Sequence, residues 1–178
     1  MENHKIIFSG PTGSGKTTAI AAISDIEPYF TDTYTAANAP RRAAASPTAM
    51  DYGRLTLDSG EHLHLYGTPG MARFDFNWNL LAGDGLGLVI LVDSQRPDPM
   101  ADLQFYLNVF AEFVRRHAIA VGISRSDLRP SLSIGDYQRA LLEQRLNIPV
   151  FEVDARESVD VNMLLQALLY SLDPGIEQ

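Results

Sequence analysis

The pattern of apolar and polar positions divides the chain into short segments of two kinds. Residues 5–9 and 87–93 are apolar runs of strand length, a pattern typical of strands buried on both faces of a sheet. Over residues 100–116 and 158–172 the apolar positions recur every three or four residues, which predicts helices with one buried face. In chain order the pattern predicts strands at 5–9, 52–58, 61–66, 87–93, 118–124 and 150–153, and helices at 16–26, 100–116, 134–146 and 158–172.

The connections between these segments predict how the strands pair. Residues 52–58 and 61–66 alternate in polarity around Ser59-Gly60, a two-residue turn signal, so we expect an antiparallel hairpin. The other strands are separated by helices, which predicts parallel pairing. Residues 29–48 follow neither period and are predicted to form a long loop, which in a compact domain is usually functional or mobile. The sequence therefore predicts one α/β domain over residues 1–178, with a mostly parallel six-stranded sheet, one antiparallel strand and covering helices.

A phosphate-binding pattern stands between the first predicted strand and the first predicted helix. Residues 10–17 read GPTGSGKT and fit G-x-x-x-x-G-K-[S/T]. In such a loop, glycines let successive backbone N–H groups turn toward phosphate oxygens at a helix N-terminus. Lys16 would neutralise the β- and γ-phosphates, and Thr17 would offer its hydroxyl to Mg²⁺. The residues expected to bind the phosphates are Gly10, Thr12, Gly13, Ser14, Gly15, Lys16, Thr17 and Thr18.

Composition and charge narrow the class of protein. The chain has 14 basic and 22 acidic residues, and its net charge of −8 opposes nonspecific attraction to nucleic acid and to anionic lipid. It has no cysteine, which excludes disulfides, thiolate metal sites and cysteine lipidation. Its first residues do not read as a signal peptide, and the uncharged apolar run at 85–92 is too short to span a bilayer. We therefore expect a cytoplasmic protein without a membrane anchor of its own or a nucleic-acid partner.

The ends of the predicted strands point to a single site. In open parallel sheets, ligands bind outside the carboxyl ends of the strands. Residues 10–17, 67–71, 124–127 and 154–156 all follow predicted strands directly. These four loops are expected to converge on one ligand.

Three of these loops carry a resemblance to a known family. Residues 67–71 read GTPGM and residues 124–127 read SRSD, and together with the loop at 10–17 they resemble the Ras-like small GTPases. The likeness covers nearly all of the chain and is greatest to the bacterial branch, which is similar to gliding-motility polarity GTPases and to the signal recognition particle receptor β subunit. It implies a P-loop NTPase with a Ras-like three-layer α/β/α fold, bound GTP or GDP, and Mg²⁺. It also implies regulatory or effector proteins as partners, roadblock-type proteins among them.

By the same resemblance, two loops would respond to the γ-phosphate. Gly70 would sense it through its backbone amide, and Thr48 would fold over both Mg²⁺ and the γ-phosphate. Other threonines, at 31, 33 and 35, compete with Thr48 for that role. Lys16, Thr48 and Gly70 are the candidate catalytic residues, and Thr17 and Thr48 are the candidate metal ligands.

The chain departs from the Ras-like pattern in ways that bear on turnover. Gly67 stands where the family has an aspartate that assists Mg²⁺, although T-P-G is familiar in the bacterial branch. Met71 stands where the family has a glutamine that orients the attacking water, and a thioether cannot do so. We therefore expect slow hydrolysis of GTP to GDP and phosphate. Arg41 or Arg42 is either a cis arginine finger that compensates or part of a solvated pair.

Base recognition is assigned to the last two loops. Where the family has N-K-x-D, Asp127 would accept hydrogen bonds from guanine N1–H and N2–H, a donor pair that adenine lacks. Arg125 would replace the lysine over the base, while Ser124 loses the amide that braces the loop. At 154–156 the family's S-A-K loop reads Asp154-Ala155-Arg156, and the Ala155 amide would meet guanine O6. A turn or helix-capping aspartate is the alternative interpretation of Asp127.

Three functions follow from these residues. The leading hypothesis is a GTP-binding switch with slow hydrolysis, whose loops near Thr48 and Gly70 signal to protein partners. The second is a scaffold that holds GTP with negligible turnover, which Met71, Thr12 and Gly67 motivate. The third is an ATP-using P-loop kinase or ATPase, for which Asp93 at the end of an apolar strand would supply the acid.

Overall fold

A computed structural model describes residues 4–29, 51–69, 85–128 and 132–172. Within them the strands are β1 (His4–Ser9), β2 (Asp51–Thr56), β3 (His62–Gly67), β4 (Gly85–Asp93), β5 (Ala118–Ser124) and β6 (Val150–Val153). The helices are α1 (Lys16–Ile23), α2 (Pro99–Val109), the short α3 (Ala111–Val114), α4 (Ile134–Glu143) and α5 (Ser158–Leu172). The predicted strands at 118–124 and 150–153 and the helix at 158–172 have the bounds expected from the sequence.

The six strands form one sheet in the order β2-β3-β1-β4-β5-β6. β2 pairs with β3 antiparallel, and the other four pairings between described strands are parallel. Outside the strands, Tyr29 forms an isolated antiparallel bridge with Tyr52. The strand pairings confirm the predicted α/β class, the mostly parallel six-stranded sheet and the antiparallel strand from the hairpin. The chain leaves β1 toward one edge of the sheet and later returns past it to β4, so the loop after β1 lies at a switch in strand order, where ligands bind in such sheets.

Helices cover both faces of the sheet because side chains along each strand alternate between two cores. Ile6 and Phe8 of β1 belong to a core that includes Ile20 of α1 and residues of α5. Ile7, between them, belongs to a second core that includes Tyr106 of α2 and residues of α4. The helices therefore hold β1, and the loop that follows it, from both sides.

Two predicted helices end earlier than expected, at residues with local hydrogen bonds. The helix predicted at 16–26 ends at Ile23, because the Ser24 hydroxyl donates to the Ile26 carbonyl and accepts from the Arg54 N–H of β2. The helix predicted at 134–146 ends at Glu143 because Arg145 adopts a left-handed backbone (φ 60°). The N–H that follows, from Leu146, then bonds the Leu141 carbonyl and closes the helix.

The helix predicted at 100–116 is interrupted. Phe110 leaves helical geometry (φ −98°, ψ 22°) between α2 and α3, although its side chain is buried with those of Tyr106 and Phe113. The apolar spacing continues through the break, so the sequence pattern indicates a single helix. Among the described helices, none is both long enough and apolar enough to cross a membrane.

Candidate functional site

The loop after β1, residues 10–17, is called the phosphate loop after the sequence pattern that it fits, and it has the backbone that its glycines predict. Gly10, Gly13 and Gly15 have φ values of 142°, 82° and 101°, which residues other than glycine rarely adopt. A Cβ at Gly10 would also collide with the carbonyl oxygen of Leu91 in β4, so this turn needs glycine for space as well. Gly15 is the N-cap of α1, and no side chain in the described part caps that helix. Its first N–H groups are therefore suited to meet an anion.

Lys16 lies inside the curve of this loop. Its side chain is buried, and Nζ donates to the carbonyl oxygens of Gly10 at 2.7 Å and Pro11 at 2.8 Å. The ammonium thus holds the loop closed with a positive charge at its centre. The buried Ser14 hydroxyl on the same loop has no hydrogen-bond partner among the described atoms, a polar group that a bound anion or water would satisfy.

Thr17, the predicted metal ligand, contacts a residue that the sequence motifs did not single out. Its Oγ1 donates to Oδ2 of Asp51 at 2.5 Å, and the Asp51 side chain is buried at the start of β2. One hydroxyl beside one carboxylate fits Mg²⁺, which keeps several waters and takes its remaining ligands from phosphates. Within the described ranges no group of three or more His, Cys, Asp or Glu side chains is placed to hold a metal.

A serine ties the loop after β5 to the phosphate loop. Ser124 is buried, and its hydroxyl donates to the Ser14 carbonyl at 3.0 Å and lies 3.3 Å from the Val92 carbonyl. By the resemblance to Ras-like proteins, Ser124 stands where the family has an asparagine, so we expect the loop to lack the amide that braces it. The shorter side chain nevertheless reaches the phosphate loop, so the two loops are held together by its hydroxyl.

Arg125 and Asp93 form an ion pair beside that brace. Arg125 has a left-handed backbone (φ 58°), and its Nη1 lies 2.5 Å from Oδ2 of Asp93, whose carboxylate is buried. Oδ1 of Asp93 accepts from the Gln95 N–H at 3.0 Å, and the Arg125 carbonyl accepts from the Ser94 hydroxyl at 2.8 Å. These bonds orient the loop that carries Asp127, and they engage both oxygens of Asp93.

In the loop after β6, Arg156 forms an ion pair with Asp154 and offsets its negative charge. The Arg156 guanidinium lies 2.5 Å from Oδ2 of Asp154, and the Arg156 N–H donates to Oδ1 at 2.9 Å. These hydrogen bonds lower the pKa of Asp154 to about 2 and raise the pKa of Arg156. The Asp154 N–H in turn donates to Asp160 at the start of α5. Asp154 therefore brings little net negative charge to the site.

Ala155 packs against the phosphate loop. Its side chain is buried, and its Cβ lies 2.9 Å from where a Cβ on Gly15 would stand. Gly15 therefore has no room for a side chain. The small size of both residues therefore lets the loop after β6 lie directly against the N-terminus of α1.

Together these loops line a partly open cavity of about 750 Å³. It is lined by residues 13–15, 124–128 and 152–156, with Thr18 and Asp160. Of the predicted site residues, the lining includes Gly13, Ser14, Gly15, Thr18, Arg125, Asp127, Asp154, Ala155 and Arg156. Gly10, Thr12, Lys16 and Thr17 lie on the same phosphate loop and helix start. Thr48, Gly70, Met71, Arg41, Arg42 and the threonines at 31, 33 and 35 lie outside the described residues.

Comparison with known proteins adds no assignment: no protein-family model matches the chain, and no curated protein matches its sequence. The case for a function therefore comes from the residues of the cavity and from their geometry. Three features carry it: a phosphate loop with a central lysine, an aspartate on the neighbouring loop, and a buried backbone segment at Ala155.

Proposed function

We propose that this protein binds guanine nucleotide and acts as a GTP-dependent switch with slow hydrolysis. The observation that carries the proposal is the cavity of about 750 Å³, which joins a phosphate loop to the loops bearing Asp127 and Ala155. Its volume lies within the range of small-molecule and cofactor sites. Its two ends have different chemistry, as a nucleotide requires.

The phosphate end is electropositive. The N–H groups at the N-terminus of α1, which no side chain in the described part caps, and the ammonium of Lys16 both favour an anion. A phosphate oxygen would replace the Gly10 and Pro11 carbonyls as partner of Nζ. Mg²⁺, when bound, would bridge phosphate oxygens and offset their charge, with Thr17 as the ligand from this chain.

The base end supports guanine. Asp127 is exposed and lines the cavity. Its carboxylate forms no ion pair within the part of the chain that the structure describes. A carboxylate there accepts from N1–H and N2–H of guanine together, whereas adenine offers no such pair. The Asp154 charge, which would otherwise repel an acceptor-rich base edge, is offset by Arg156.

The engagement of Asp93 favours this proposal over an ATP-using kinase. A mostly parallel sheet with the phosphate loop after its first strand is compatible with a P-loop NTPase. We propose the Ras-like kind because of the resemblance in the loop sequences. The kinase hypothesis needs Asp93 to serve a metal. Its carboxylate instead accepts from Arg125 and from the Gln95 N–H.

Switching and turnover rest on the sequence. We propose that loops bearing Thr48 and Gly70 change conformation with the γ-phosphate and are read by regulatory or effector proteins of the roadblock type. Met71 in place of a water-orienting glutamine makes hydrolysis slow. Single-turnover phosphate release, compared between the wild-type chain and Met71→Gln, separates a slow switch from a scaffold: a rate that does not rise in the variant favours the scaffold.

Nucleotide binding tests the proposal directly. The nucleotide that copurifies with the chain would be identified, and affinities for GTP, GDP and ATP would be measured with Mg²⁺ by calorimetry. We expect guanine nucleotides to bind at least about 100-fold more tightly than ATP, because two charge-assisted hydrogen bonds to the base are lost with adenine. Equal or tighter binding of ATP would overturn the assignment of Asp127.

A further inference from the structure

Asp51 is a buried carboxylate at the metal side of the phosphate loop. It begins β2, its side chain is 6% exposed, and Oδ2 accepts the hydrogen bond of Thr17. Removing a carboxylate from water is costly unless it is paired or hydrogen-bonded. Its position beside the hydroxyl expected to meet Mg²⁺ indicates more than a role in packing.

The register of the hairpin places this carboxylate over a glycine. Asp51 stands opposite Gly67, the last residue of β3. A Cβ on Gly67 would lie 3.0 Å from Cβ and 3.1 Å from Oδ2 of Asp51. The Asp51 side chain therefore occupies the space into which a side chain at position 67 would extend, and an acid at either position would reach the same region beside Thr17.

We infer that Asp51 is the carboxylate of the Mg²⁺ site and positions Thr17 for the cation. The inference rests on the proposed nucleotide binding. A hydroxyl that ligates a metal must direct its proton away from the ion. The Thr17 hydroxyl donates its hydrogen bond to Asp51, with 2.5 Å between Oγ1 and Oδ2. The negative charge of Asp51 also favours a divalent cation at this end of the loop. In this chain the acid stands on β2, whereas the resemblance to Ras-like proteins predicts an acid at position 67, on β3.

The test is the Mg²⁺ dependence of nucleotide affinity. Dissociation constants of GDP would be measured in excess EDTA and in excess MgCl₂, for the wild-type chain and for Asp51→Asn. We expect Mg²⁺ to tighten GDP binding to wild type, and the ratio of the two constants to fall about tenfold or more in the variant. The affinity in EDTA should stay within about threefold, because the phosphate loop and the base loops are unchanged.

Asp25→Asn is the matched control. Asp25, an exposed residue just after α1, accepts from the Thr56 N–H at the other end of β2, so this change removes a carboxylate that is hydrogen-bonded to β2 without touching Thr17. Its Mg²⁺ ratio should equal that of wild type. If Asp51→Asn fails to fold, the same ratio of GDP dissociation constants in EDTA and in MgCl₂ would be measured for Asp51→Ser. That variant keeps a hydrogen-bonding group at position 51 but removes the charge.

An exchange variant, Asp51→Gly with Gly67→Asp, moves the acid across the pair. The side chain at 67 would press on the far end of Ile20, whose Cδ1 lies 3.0 Å away and can rotate. We expect this variant to recover part of the Mg²⁺ ratio. An unchanged ratio in Asp51→Asn, or an exchange variant that binds in EDTA but stays at the Asn level, overturns the inference. Failure of wild type to bind GDP under either condition overturns the proposed function instead.

Discussion

The Ser124 hydroxyl donates to the backbone carbonyl of Ser14 at 3.0 Å, across 110 residues of sequence. The bond joins the loop that carries Asp127 to the loop that carries Lys16. Both partners are buried, so water cannot replace the bond when it is lost. The Ser124 side chain therefore links the two loops directly.

Removing this brace should weaken the fold and the site together. We expect Ser124→Ala to lower the free energy of unfolding by about 1–2 kcal/mol, because a buried carbonyl loses its donor, and to weaken GDP binding several-fold. Urea denaturation and calorimetry measure the two effects. Ser171→Ala is the matched control, since that exposed hydroxyl bonds only within α5, to the Ala167 carbonyl. Equal stability of the two variants would contradict the coupling.

Asp127 should decide which base is bound. We expect Asp127→Asn to weaken GDP binding about 100-fold, because two hydrogen bonds to a charged acceptor are lost, and to strengthen binding of xanthosine diphosphate. Xanthine carries a carbonyl where guanine carries the amino group, and an amide N–H can donate to it. Competition against a fluorescent nucleotide measures both. Asp58→Asn, an exposed aspartate in the hairpin turn, should change neither affinity. Guanine preference that survives in Asp127→Asn would place base recognition elsewhere.

Contact with Ala155 should make Gly15 more sensitive to substitution than another left-handed glycine. Gly60→Ala (φ 85°, open space) should cost about 1–2 kcal/mol in free energy of unfolding, from backbone strain alone. Gly15→Ala (φ 101°) should cost about 1–3 kcal/mol more, because its Cβ would lie 2.9 Å from that of Ala155. Urea denaturation of both variants measures the difference. Similar losses would mean that the loop after β6 yields freely.

The Asp154–Arg156 pair should be visible in an acid titration. The hydrogen bonds from Arg156 lower the pKa of Asp154 from 3.8 to about 2. Since the folded-state pKa lies below the unfolded one, the small stabilisation is present above about pH 4 and is lost as pH falls toward 2. In Arg156→Gln we expect the Asp154 carboxyl, followed by NMR, to titrate nearer 3.8.

Asp136 provides the internal reference for that titration. Its pKa is also lowered, but mainly by hydrogen bonds from Ser133 at the N-cap of α4, so it should not respond to Arg156→Gln. A shift of both carboxyls would indicate a change in the whole fold. No shift of Asp154 would show that the ion pair does not form in solution.

The helix ends show what the apolar pattern leaves open. Periodicity reports which face of a segment is buried, not where a helix ends. The helices predicted over 16–26 and 134–146 end at Ile23 and Glu143, and the one predicted over 100–116 is interrupted at Phe110. Ser24 bonds the edge of β2, and Arg145 takes the left-handed cap usually given to glycine. Neither choice changes the pattern of apolar residues, so the sequence could not reveal it.

The sequence by itself determined the order of strands and helices and the glycine-rich turn between β1 and α1. Both depend on neighbours in the chain: alternation in burial, and glycines spaced to turn one backbone segment. Only the tertiary structure decided the contacts between loops, such as Thr17 with Asp51 and Ser124 with Ser14. These pairs are set by strand order and register, which bring distant residues together. The sequence of one segment does not specify which residues of another strand or loop will contact it.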